Sequence, residues 1–170
     1  MDYKKPTYSI GRPTIQGIRH VISAGHYLAA TAGFQILECG GNAIDAGVAA
    51  GLALGVVQSE YVNIAGVAPI MIYRARTKEV FAISGLGTWP KAANIEHFIR
   101  DYGGIIPPGI LRTVVPAAPY AWITALEKFG TMSFGEVAES AIRLAKEGFI
   151  MYPLMNEIIT NYENEYRRWP

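Results

Sequence analysis

Between His26 and Val57 the chain closes one helix and opens another across only three residues, Gly40, Gly41 and Asn42. The first helix is predicted over about Tyr27 to Glu38, where Leu28, Ala32 and Ile36, flanked by Ala29, Ala30, Phe34 and Leu37, recur at three-to-four spacing. A glycine just past the last apolar residue closes a helix in the left-handed conformation, and Asn42 is a preferred N-cap for the next one. Asp45 suits the positive end of that second helix, Ala43 to Val57. After Asp45 the second helix carries almost nothing polar, so it is expected to be buried on nearly all sides. It is too short for a membrane span, which takes roughly 20 apolar residues. Gly47, Gly51 and Gly55 fall at every fourth position and predict a smooth stripe for close packing.

Half of the 170 residues are hydrophobic, enough for one domain with a real core. Fifteen basic residues against fourteen acidic ones leave no charge excess for a nucleic-acid surface. Cys39 is the sole cysteine, so no internal disulfide can form, and it is read as a small buried apolar side chain. Behind Lys4 and Lys5 no apolar stretch follows, so no secretory signal is read and a cytoplasmic location is expected.

Past Val57 the pattern shifts to strands. Gln58 to Gly66 is a polar, glycine-bearing bend, followed by β-rich runs at Val67 to Tyr73 and Lys78 to Ser84, with Arg74 to Thr77 as a hairpin connection. Both runs alternate little, which predicts two covered faces. Gly85 to Pro90 leaves the second strand as a loop, and Ile95 to Tyr102 reads as a helix capped by Asn94. Gly103 to Pro108 is a connection. The last third is helical: Pro116 to Phe129, then a helix opened by the capping box of Ser133 and Glu136 and ended at Gly148, then Tyr152 to Tyr166 with Leu154, Ile158, Ile159 and Tyr162 on one side.

Self-contained chemistry is scarce. His20, His26 and His97 show no metal-ligand spacing and read as structural or surface residues, so no metal or cofactor is expected. Gly85, Leu86 and Gly87 begin like a dinucleotide fingerprint, but Trp89 and Pro90 stand where a helix should open. Glu60 with Glu96 or Asp101 could pair as carboxylates, yet nothing sets their separation, and solvated side chains are the expectation.

Two long stretches carry more. AGHYLAATAGFQILECGGNAIDAGVAAGLALGVVQSEYVNIAGVAPIMIY and AWITALEKFGTMSFGEVAESAIRLAKEGF resemble, in order, the opening of the γ-glutamyltranspeptidase family, with its GGNAxDA turn, its GVV helix end and its AIRLAxEGF helix end. The resemblance runs from about Ser23 to Tyr152. It implies an α+β fold, the four-layer αββα sandwich of an N-terminal nucleophile hydrolase, to which this chain supplies helices and two or more antiparallel strands. Residues 1–170 are then the N-terminal segment of one such domain, completed by further polypeptide. In the family an autocleaved threonine becomes the N-terminus of a small subunit, where its amine, of pKa about 8, can serve as base for the adjacent hydroxyl. No catalytic residue is therefore expected among residues 1–170. The implied partners are the rest of the large subunit and the small subunit in a cleaved heterodimer, with a small amide as substrate and with neither nucleic acid nor membrane.

Departures from the family pattern bear on the substrate. The resemblance places Leu86 where γ-glutamyl-specific members carry the arginine that grips the substrate α-carboxylate. Leucine offers no charge-assisted hydrogen bond. Leu86, Gly87, Thr88 and Trp89 are thus expected to form a more apolar wall of the acyl site, with Tyr61 and Asn63 facing the same cavity. Asn63 to Ala68 also replaces the family's glycine run, so the backbone is expected to follow a different path there. Two functional classes follow: an amide-hydrolysing enzyme without strict γ-glutamyl transfer, or a non-catalytic relative that serves as a binding or interaction module.

Overall fold

A computed structural model describes residues 14–168. The segment read for an export signal lies, through Pro13, outside the described residues, as do Trp169 and Pro170. The order of elements is α1 (Tyr27–Glu38), α2 (Ala43–Val57), β1 (Ile70–Arg74), β2 (Glu79–Ile83), α3 (Ile95–Tyr102), a 3-10 turn (Ile110–Arg112), α4 (Ala118–Phe129), α5 (Phe134–Glu147), α6 (Pro153–Asn161) and α7 (Glu163–Tyr166).

Helix ends follow local chemistry closely. Asn42 accepts from the N–H groups of Ile44 and Asp45, and Asp45 accepts in return from the Asn42 N–H, a reciprocal box at the start of α2. Ser133 and Glu136 form the same box on α5. Asn94 caps α3, and His26 caps α1 by accepting from the Leu28 N–H through Nδ1.

The core is a stack of α1, α2, α4 and α5 built from small residues around Leu52, Val57, Trp122, Val137 and Leu144. Val57 and Val137 are fully buried, each contributing about 1.5–3 kcal/mol relative to exposure. Of the glycine stripe on α2, Gly51 alone meets a close neighbour: a Cβ there would sit 3.1 Å from the Trp122 indole nitrogen, while Gly47 faces open space. Among the glycines of α1 and α2, the closest approach of one helix to the other is at Gly33, where a Cβ would stand 2.7 Å from the Ala46 carbonyl oxygen of α2 and would also overlap the Ile22 side chain. Cys39 is exposed, not buried as expected, because it follows Ile36 beyond the last buried turn of α1.

The strands pair antiparallel, with Ile70 opposite Ile83 and Ile72 opposite Phe81 on the face that packs on the helices. Phe81 stacks on Phe129 of α4 at 4.9 Å. The other face, Met71, Tyr73, Val80 and Ala82, is bare among the described residues, so the expectation of two covered faces is met on one side only. β1 begins at Ile70, later than expected, since Pro69 has no N–H to give a ladder. The single C-terminal helix expected over Tyr152 to Tyr166 is two, divided at Tyr162. Met155 is its one buried side chain and Leu154 and Tyr162 face outward, so packing does not hold it straight.

Candidate functional site

Backbone contacts fix the loop that leaves β2. Gly85 is buried at φ +57°, a conformation glycine adopts without strain, and its carbonyl accepts from the Ala68 N–H at 3.1 Å. A Cβ at Gly85 would overlap the Ala68 carbonyl oxygen, and one at Gly87 would overlap Val115. Opposite, the Gly66 carbonyl accepts from the N–H groups of Ala117 and Ala118, 3.0 and 3.1 Å away, and so caps the start of α4. Two connections of the chain are thereby held against the segment that enters α4.

Between them lies a cavity of about 280 Å³. Leu86, Gly87 and Trp89 line it, together with Val67, Phe98 of α3 and Val115. Thr88, Tyr61 and Asn63 are exposed and stand outside that lining, so the structure brings together half of the six residues expected at the site. Val67, Phe98, Ile110 and Val115 were missed by sequence reasoning. Val67 and Phe98 lay in runs read as strand and helix, and the signal at Ile110 and Val115 was a surplus of apolar residues between the Gly103 to Pro108 connection and the helix read from Pro116. No charged side chain lines the cavity; its polar side-chain groups are the Trp89 indole N–H at the rim and the hydroxyl of Thr113, which donates to the Ile110 carbonyl at 2.6 Å. The arrangement can hold an apolar group. It contains no nucleophile paired with a base.

Two buried polar clusters lie elsewhere. Asp45, fully buried, accepts from the Thr131 hydroxyl at 2.6 Å and from the N–H groups of Thr131, Met132 and Asn42. Burial pushes its carboxyl up, but these hydrogen bonds outweigh burial and hold it below its ordinary 3.8. Glu60 is not a solvated carboxylate. The Tyr152 hydroxyl donates to its Oε1, and its Oε2 is buried with no hydrogen-bond partner among the described residues. Burial first, then the Glu60 hydrogen bond and charge, pushes the Tyr152 hydroxyl up to about 12. The His26 ring stacks beside Tyr152 at 5.1 Å, and burial lowers its pKa below 6.5 against the partial opposition of Glu60. Asp101 pairs with Arg100 and His97, remote in role from Glu60. Among the described residues, no group of three or more His, Cys, Asp or Glu side chains is placed to hold a metal ion, and no helix is long and apolar enough to cross a membrane.

The Gamma-glutamyltranspeptidase family profile matches residues 29–170. The chain belongs to the γ-glutamyltranspeptidase family. Two curated members of that family are similar along most of the chain. The Acylase ACY 1 proenzyme of Pseudomonas sp. (strain SE83) is 36% identical over 166 residues, which is 91% of this chain and 29% of the relative. The Glutathione hydrolase proenzyme of Bacillus subtilis (strain 168) is 31% identical over 172 residues, 97% of this chain and 29% of the relative. This γ-glutamyltranspeptidase-family chain therefore spans less than a third of the length of either. Among solved structures, Helicobacter pylori gamma-Glutamyltranspeptidase superposes with a TM-score of 0.82 at 29% identity, covering 92% of this chain and 46% of that one. The fold is accordingly α+β, of the N-terminal nucleophile hydrolase class, and this chain supplies helices and one antiparallel strand pair to it.

Proposed function

We propose that this chain is the N-terminal part of a γ-glutamyltranspeptidase-like amidohydrolase that acts on a small amide or acyl-amine substrate. Its nucleophile is an N-terminal threonine on a further stretch of polypeptide, released by self-cleavage, and residues 1–170 supply scaffold and one wall of the acyl site. The observation that carries this reading is that Leu86, which the family resemblance puts where γ-glutamyl-specific members carry the carboxylate-gripping arginine, opens onto a cavity with no charged lining. A γ-glutamyl carboxylate buried there would lose water and gain no partner. Support for completion by further polypeptide comes from the bare sheet face and from an open apolar groove of about 420 Å³ where α2 meets β1, lined by Ala43, Gly47, Met71 and Trp122. The relatives' names as proenzymes support the cleavage step.

Intact mass and N-terminal sequencing of the full gene product test this reading, because they locate the nucleophile. Two fragments, the smaller beginning at threonine, support it; one uncut polypeptide with no amidase activity points to a binding module. Leu86→Arg tests the pocket. If Leu86 faces the acyl group, the variant should improve kcat/KM for a γ-glutamyl anilide about tenfold or more, the worth of one charge-assisted hydrogen bond. No change in a normally folded variant would remove Leu86 from the site.

A further inference from the structure

We infer that the cavity between the Leu86–Pro90 loop, α3 and the 3-10 turn selects a small, neutral, apolar acyl group, with Trp89 at its rim and Phe98 and Val115 as its walls. The inference rests on the reading that Leu86 faces the acyl group, and it names the class of that group.

Size is the first argument. The cavity holds about 280 Å³, just under the roughly 300–1,000 Å³ typical of pockets for drug-sized ligands, so it suits a fragment such as an acyl tail. Chemistry is the second. Leu86, Phe98, Ile110 and Val115 present only carbon, and the Thr113 hydroxyl is already committed to the Ile110 carbonyl. A tail ending in carboxylate or ammonium would be desolvated without compensation, whereas each methylene added to a neutral tail would favour binding roughly fourfold. Rigidity is the third. The walls are pinned by the Gly85 to Ala68 hydrogen bond, the overlap-free fit of Gly87 on Val115, and the Arg112 guanidinium donating to the Ile106 carbonyl at 2.9 Å. The cavity is built from three connected segments of one chain and is open on one side, where Leu86, Trp89 and Ile110 are more than half exposed. Trp89, two-thirds exposed, can fold its indole over whatever enters.

Hydrolysis by the full gene product would be measured on the p-nitroanilides of acetic, butanoic and hexanoic acids and of glutaric acid, the last matching hexanoyl in length but ending in carboxylate. The expected result is kcat/KM rising roughly fourfold per methylene to hexanoyl and falling at least tenfold for glutaryl. Phe98→Ala and Trp89→Ala should each cost more as the tail lengthens. Cleavage with no length dependence, or with glutaryl preferred, overturns the inference and leaves the amidohydrolase reading standing. If no anilide is cleaved, the amidohydrolase reading fails, and tryptophan emission decides the pocket by itself. Hexanamide should shift the emission in wild type but not in Trp89→Phe, and glutaramate should not shift it. Silence with hexanamide, or equal response to both, overturns the inference.

Discussion

The helical stack and the hairpin with its following loops use apolar residues in opposite ways. In the stack of α1, α2, α4 and α5, the alanines and valines face one another and Ala29, Ala53, Ala121 and Ala125 are fully buried. Across the hairpin and the 84–115 stretch, Met71 is 80% exposed and Ile110 81%. Similar hydrophobicity therefore yields a finished core in one region and an uncovered surface in the other. An apolar side chain left outward on a sheet marks a place where other matter packs.

The sharpest break of this contrast is at Asp45, the polar centre of the stack. Asp45→Ala would strand the N–H groups of Thr131 and Met132 and should destabilise the protein by ~3 kcal/mol or more, measured by urea unfolding. A loss below ~1 kcal/mol would mean the stack does not depend on that carboxylate. Next comes Gly33→Val, which pushes a side chain against the Ala46 carbonyl and should cost ~2 kcal/mol by overpacking, whereas Gly47→Ala in open space should be neutral or slightly stabilising.

Acid should act in two windows. His26 has a lowered folded pKa, so the unfolded chain takes up its proton first: stability is full above pH 6.5 and declines as pH falls from there through the folded value. Asp45 is also lowered, so its contribution is full above 3.8 and is lost as pH falls below that through its folded value. His26→Asn keeps an N-cap acceptor and should flatten the upper window only; urea midpoints recorded between pH 8 and 3 decide this. The smallest effect is expected on the bare sheet face. Met71→Lys should change the stability of residues 1–170 expressed alone by no more than ~0.5 kcal/mol, yet cost more in the full gene product if further polypeptide covers β1. Equal effects in both would leave that face solvated.

Much of the fold was legible because capping is a local interaction. The starts marked by Asn42, Asn94 and Ser133 lie where the chain places them because each side chain accepts from N–H groups two or three residues on, and the ends at Glu38, Val57 and Glu147 because the next residue's N–H bonds back to the carbonyl of Gln35, Leu54 or Leu144. The site was legible in part. Leu86 and Trp89 reach one cavity, but Tyr61 and Asn63 point elsewhere, because the direction of a bend after α2 depends on what Gly66 caps, and that partner is α4.

By itself, then, the order of residues determined the helices other than the divided C-terminal one, the Asn42, Asn94 and Ser133 caps, the hairpin and the family, all of which depend on neighbours a few positions apart or on motifs in register. Only the tertiary structure decided that Asp45 grips Thr131, 86 residues away, that Glu60 bonds Tyr152, that among the glycines of α1 and α2 it is Gly33 and not the α2 stripe where one helix comes closest to the other, and that Phe98 and Val115 complete the cavity around Leu86. Those contacts join residues distant along the chain, and periodicity specifies which side of an element is apolar without saying what will meet it.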